Sequence, residues 1–146
     1  MSGADTGTSY AGGCHCGAIR WRFTTRRAPS QWPVRACQCS FCRAHAARCT
    51  SDPQGSVDFY LNEPHALQRY RFAYGSAQFL VCTVCGVYIG AVIEDAGGMF
   101  ATLNLNSMTT AIEDLGDAVP VFYDSEARAE RIARRISRWT PVSTSI

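Results

Sequence analysis

Eight cysteines fall in tight groups along this 146-residue chain, and that grouping limits what it can become more than any other feature. They run Cys14-His15-Cys16, then Cys37-Gln38-Cys39-Ser40-Phe41-Cys42, then Cys82-Thr83-Val84-Cys85, with Cys49 standing apart. The opening residues, Met1 to Tyr10, are small and polar, with no basic start and no apolar stretch. They read as a flexible leader, not an export signal, and a cytoplasmic protein is expected. Thiols stay reduced there, and clustered cysteines bind metal or do chemistry instead of pairing as disulfides. A chain of this length buries a core without crosslinks.

Composition narrows the classes further. Hydrophobic residues make up 47% and charged residues 18%, which excludes a disordered chain. No apolar run reaches the roughly eighteen residues of a membrane-spanning helix. The formal charge of +2 is too mild to argue for nucleic acid as a partner. All 14 basic residues are arginine, so no lysine is available as a Schiff base or general base.

Short alternating runs dominate the middle of the chain. Ile19, Trp21 and Phe23 alternate with Arg20, Arg22 and Thr24, the pattern of a half-buried strand. Further strands are expected over Val57–Leu61, around Tyr70 and Phe72, over Phe79–Val81, over Val87–Ile93 and over Met99–Leu105. The last of these puts Thr102, Asn104 and Asn106 on one face. Gly75, Gly86 and the pair Gly97-Gly98 punctuate the runs. The chain therefore reads as mainly β, with antiparallel sheets and short connections over 11–140. Exposed strand edges make a homodimer a plausible assembly. Near the C-terminus, Asp124 or Ser125 can cap a helix over about 125–139, in which Ala129, Ile132, Ile136 and Trp139 recur at helical spacing. Arg131, Arg134, Arg135 and Arg138 lie mostly on the other side, a basic face that could meet an anionic partner but reads first as a solvated one. Residues 141–146 read as a flexible tail.

The spacing of the cysteines carries chemistry. Cys82-x-x-Cys85-Gly86 lets two thiolates grip one tetrahedral ion from a tight turn, the glycine permitting the backbone twist. A pair supplies only two ligands. Cys14 and Cys16, framed by glycines, are its natural partners in a closed four-thiolate zinc site that supplies folding energy. His15, between two ligands, reads as a neighbour of that site rather than a member. Cys37, Cys39 and Cys42 offer three sulfurs from one short loop, the ligand number of a catalytic zinc with an open fourth position. Cys49 or His45 stands close enough in sequence to close that site instead. Arg43, next to Cys42, could hold a carboxylate, and Asn104 and Asn106 could orient a substrate from a sheet face or satisfy turn backbone.

In order along the chain, Gly12-Gly13-Cys14-His15-Cys16-Gly17, Cys37-x-Cys39-Ser40-x-Cys42-Arg43, Phe79-x-x-Cys82-x-x-Cys85-Gly86 and Leu103-Asn104-Leu105-Asn106 stand as four motifs. This set resembles the glutathione-dependent formaldehyde-activating enzyme and centromere-protein-V-like family. The resemblance implies a β-tent of folded sheets with two zinc ions. Cys14, Cys16, Cys82 and Cys85 would hold the structural one, and Cys37, Cys39 and Cys42 the catalytic one. It further implies carbon–sulfur lyase chemistry on adducts of a thiol and an aldehyde, of the S-hydroxymethylglutathione kind. The continuation Arg43-Ala44-His45-Ala46-Ala47 departs from the basic, glycine-containing one usual in the family.

Overall fold

The central runs form two packed sheets, a small one buried on one face and a large one whose central strands are buried on both. The computed structural model describes residues 7–95 and 97–146. In chain order the elements are β1 (Thr8–Gly13), β2 (Ile19–Thr25), β3 (Arg35–Cys37), α1 (Ser40–Ala44), β4 (Cys49–Thr50) and β5 (Ser56–Leu61). They continue with β6 (Leu67–Tyr70), β7 (Gln78–Cys82), β8 (Tyr88–Asp95), β9 (Gly98–Asn104), β10 (Val119–Val121), α2 (Arg128–Arg138) and β11 (Thr140–Pro141). β1, β2 and β5 form a small sheet, and β10-β3-β4-β9-β8-β7-β6 form a large one, with β11 on β9. The protein is thus mainly β with antiparallel sheets and a C-terminal helix, as the alternation implied. One pair departs from that rule, β10 running parallel to β3.

The main core lies between the sheets. Ile19, Trp21 and Phe23 of β2 and Val57 and Phe59 of β5 meet Leu80, Ile89, Val92 and Leu103 of the large sheet. A second core lies on the opposite face of the large sheet, where Phe79, Tyr88, Ala91 and Ile93 pack with Cys42, Cys49 and Trp139. Simple alternation along β8 would send Tyr88 and Ala91 to opposite faces. A bulge prevents this. Leu80 pairs with Gly90, yet Val81 pairs with Tyr88, so Ile89 is the extra residue. The parity flips there, Ile89 and Val92 enter the main core, and Tyr88 and Ala91 share the outer face. Gly90 makes the bulge possible, because a Cβ there would sit 2.5 Å from the Thr102 carbonyl oxygen.

Both expected flexible ends are corrected by pairing. Of the leader over Met1–Tyr10, residues 1–6 lie outside the described residues, but Thr8 to Tyr10 belong to β1. Tyr10 pairs with Phe23 and packs edge-on against Trp32, at 4.8 Å between ring centroids. The tail over 141–146 is tied down as well. Val142 N–H donates to Met99 O at 2.8 Å, Ser143 N–H to Val57 O at 2.9 Å, and Phe59 N–H to Thr144 Oγ1 at 2.8 Å. The tail bridges the two sheets, so its polar backbone is satisfied rather than solvated.

The helix starts later than expected. It runs Arg128–Arg138 with Ala127, not Asp124 or Ser125, at its N-cap, where Glu130 accepts the Ala127 N–H at 2.9 Å. β6 ends at Tyr70, so Phe72 lies outside it, and Asn106 lies in a 3-10 turn after β9. Among the described residues no helix is long and apolar enough to cross a membrane.

Gly90→Ala should destabilise the fold by about 1–3 kcal/mol, since the added methyl meets backbone that cannot step aside. Chemical denaturation of the variant against the parent checks this, with an unchanged midpoint as the contrary result.

Candidate metal centres and the adjoining cleft

Two hairpin turns, one from each sheet, bring the first cysteine group together. Cys14 follows β1 in the β1–β2 turn, where its N–H donates to Ile19 O at 2.9 Å. Cys82 ends β7, and Cys85 lies in the β7–β8 turn, closed by Gly86 N–H donating to Cys82 O at 2.8 Å. Gly86 takes a φ of 81°, which a side chain would resist. The sulfurs of Cys14, Cys16, Cys82 and Cys85 lie within 4.8 Å of one another. Cys14 Sγ and Cys16 Sγ are 3.7 Å apart, and Cys16 Sγ and Cys82 Sγ are 3.6 Å apart. A tetrahedral ion with bonds of about 2.3 Å sets its sulfurs about 3.8 Å apart, so the donor set fits such an ion. Ile19 N–H also approaches Cys14 Sγ at 3.3 Å, the kind of amide contact that steadies a thiolate.

The second group gathers where β3 runs into α1. Cys37 ends β3, Cys39 caps α1 and Cys42 lies within it, with Cys42 N–H pointing at Cys39 Sγ at 3.4 Å. These three sulfurs also lie within 4.8 Å of one another and could hold a second ion. They compete for protons. Hydrogen bonds from Cys37, then Cys42, pull the Cys39 thiol down to about 2, and sharing with Cys37 and Cys39 drives Cys42 far above its ordinary range.

Neither sequence candidate for a fourth ligand joins this cluster. Cys49 is buried, its thiol pushed up to about 12 by burial, and it faces the Tyr88 hydroxyl. His45 stacks against Phe41, with 4.6 Å between ring centroids. Among the described residues the site is a three-cysteine one. His15 likewise stays outside the four-cysteine group.

Of the residues proposed as substrate contacts, the two asparagines bond to nearby backbone. Asn104 is buried and spends its groups on backbone, its Nδ2 donating to Tyr88 O at 2.9 Å and its Oδ1 accepting Asn106 N–H at 3.2 Å. Asn106 Nδ2 donates to Ala46 O at 2.8 Å, and its Oδ1 accepts Arg48 Nε–H at 2.9 Å. Both tie the end of β9 to the segment after α1, behind the cysteine loop. Arg43 is exposed and lines a shallow hollow together with Cys37 and Cys42, outside the lining of the main cleft.

That cleft opens on the other side of Cys37, Cys39 and Cys42 and has a cavity volume of about 90 Å³. Its walls include Phe72, Phe79, Tyr88 and Trp139, and Arg35, Arg131, Arg134 and Arg135 line it as well. The helix arginines are therefore not a solvated face. Arg131, Arg134 and Arg135 are half-buried against the cleft, whereas Arg138 is exposed. Arg134 makes a two-point contact with Glu126, at 2.8 and 3.0 Å, and sits 3.4 Å above the Tyr123 ring. Arg131 donates to Tyr123 O at 2.7 Å and lies near the same Glu126. Hydrogen bonding to Arg134 holds the Glu126 carboxyl below its usual range. Arg35 and Arg135 have no carboxylate partner among the described residues. Arg35 donates to Ser51 Oγ at 3.0 Å and Arg135 to Ser76 Oγ at 3.1 Å. Burial lowers both guanidiniums, Arg135 to about 10.

Sequence reasoning missed Arg35 and favoured a solvated face for the three helix arginines, although Arg131 and Arg135 share their helical stripe with Trp139 at intervals of four. An aromatic residue on a supposedly solvated stripe was the available signal.

No protein-family model matches the chain, and no curated protein matches it. Among solved structures it is similar to the crystal structure of a Rhodobacter sphaeroides protein that was a Northeast Structural Genomics target, with a TM-score of 0.58 and 23% identity. That match covers 76% of this chain and 99% of the other, and at this identity it speaks to the fold alone.

Metal analysis of protein purified without chelators should find about two ions per chain, one for each cluster. Cys85→Ser should lose one and lower stability by more than about 2 kcal/mol, because a closed tetrahedral site contributes folding energy. Cys39→Ser should lose the other with a smaller fall in melting temperature.

Proposed function

We propose that the protein is a two-zinc enzyme of the carbon–sulfur lyase type that makes and breaks adducts of a small thiol with an aldehyde. The observation that carries this is the three-sulfur cluster of Cys37, Cys39 and Cys42 opening into a cleft, with Cys49, which lines the same cleft, and His45 both outside the cluster. The family resemblance points the same way. Zinc is the ion of choice for all-thiolate tetrahedral sites, and a cytoplasmic setting suits reduced cysteines. Cys14, Cys16, Cys82 and Cys85 would hold the structural ion. Held by Cys37, Cys39 and Cys42, the other would supply an open position that binds a soft thiolate or polarises an aldehyde oxygen.

The reaction needs little else. In the forward direction the thiol sulfur bonds to the aldehyde carbon while the thiol proton passes to the carbonyl oxygen. In reverse the carbon–sulfur bond breaks and the hydroxyl proton returns to sulfur. No electrons are gained or lost overall. The protein's contribution is to hold both reactants together, which removes most of the entropic barrier. Phe72, Phe79 and Trp139 shield the reacting groups from water. Arg35 and Arg135 offset the negative charge of a thiolate-rich site, so that a further thiolate can approach.

Exchange NMR of thiol and aldehyde mixtures tests this. The zinc-loaded protein should speed adduct exchange over buffer, and Cys39→Ser should lose more than about tenfold of that acceleration. No acceleration with any pair would leave a metal-binding module without this activity.

A further inference from the structure

The cleft carries more recognition chemistry than a one-carbon aldehyde can use. Its floor is the outer face of the large sheet, where Phe79 pairs with Ala91 and Ala91 pairs with Thr102. Ala77 lies beside them, and these small side chains leave the space that the larger Phe72, Phe79 and Trp139 border. An apolar, aromatic-bordered cavity suits a flat ring better than a hydrated one-carbon compound.

The charges add a second requirement. Among the described residues, Glu126 serves Arg131 and Arg134, but no carboxylate serves Arg35 or Arg135. Arg135 keeps one hydrogen bond, to Ser76, its guanidinium carbon lies 5.2 Å from the centre of the Trp139 ring, and its Nε is buried with no acceptor. An unpaired, half-buried guanidinium with an orphaned donor is costly unless an anion completes it. The planar fork of arginine suits a carboxylate. Arg134 is not the free group, since the two-point contact with Glu126 already occupies it.

We infer that this cleft takes a small aromatic molecule carrying one carboxylate, its ring over Ala91 between Phe79 and Trp139 and its anion on Arg135. The inference rests on the proposed function for the chemistry that follows binding. It names the substrate class of that same site as a carboxylate-bearing aromatic aldehyde or thiol. The reacting group of such a molecule would face Cys37, Cys39 and Cys42, which line the same cavity.

Binding and turnover separate the two claims. Titration calorimetry on the zinc-loaded protein should give benzoate at least about tenfold tighter binding than acetate, which lacks the ring. Benzoate should exceed benzyl alcohol, which lacks the charge, by a similar factor. Arg135→Gln should bring benzoate down to the level of benzyl alcohol and leave benzyl alcohol unchanged, in a variant whose melting curve confirms folding. Equal binding of benzoate and acetate, or of benzoate and benzyl alcohol, overturns the inference on the parent protein alone, whatever the variant does. Exchange NMR with 4-carboxybenzaldehyde and with formaldehyde then completes the division. Selective benzoate binding without acceleration of either adduct upholds the ligand class and removes the lyase reading. Acceleration with formaldehyde and no preference among the three ligands does the reverse.

Discussion

The contact between two hairpin turns, made by Cys14 and Cys16 on one side and Cys82 and Cys85 on the other, governs the arrangement of everything else. Each turn belongs to a different sheet. A shared ion would fix the ends of β1, β2, β7 and β8 at one point, and the main core fills the angle between the sheets from there. Such a clamp spans 66 residues between Cys16 and Cys82, so it restrains a long stretch of unfolded chain. The carboxy-terminal segment works against the same opening. Its bonds to Met99, Val57 and Phe59 cross from one sheet to the other.

The outer face of the large sheet is organised by charge rather than by packing alone. Four cysteines and four arginines line one cavity, and each group moderates the other. The arginines make a cluster of sulfur anions tolerable, and the sulfurs make buried guanidinium groups tolerable. The Cys37 sulfur contributes to that balance at Arg135 itself. Glu126 takes up part of the positive charge outside the cavity, leaving Arg35 and Arg135 as the cationic surplus inside.

Much of this was legible in the residues. Alternation at Ile19, Trp21 and Phe23 marked a strand because one face of it is fully buried. The glycine-framed cysteine pairs marked the four-sulfur site because two short turns can offer ligands in only a few ways. Other parts depended on distant contacts. β1 begins among polar residues that acquire their structure only by pairing with β2. The role of Asn104 and Asn106 depends on Tyr88, Ala46 and Arg48, none of which adjoins them in sequence. Arg131, Arg134 and Arg135 of α2 carry a polar label in any periodicity argument, and only the cavity they line reveals their place in it.

The bulge at Ile89 also divides the obligations of one strand. Ile89 and Val92 answer to the interior, whereas Tyr88 and Ala91 answer to the cavity. Ala91 sets how much room a guest has, and its neighbours across the sheet, Phe79 and Thr102, face the same space. A larger side chain in place of that single methyl would therefore narrow the cavity without entering the main core.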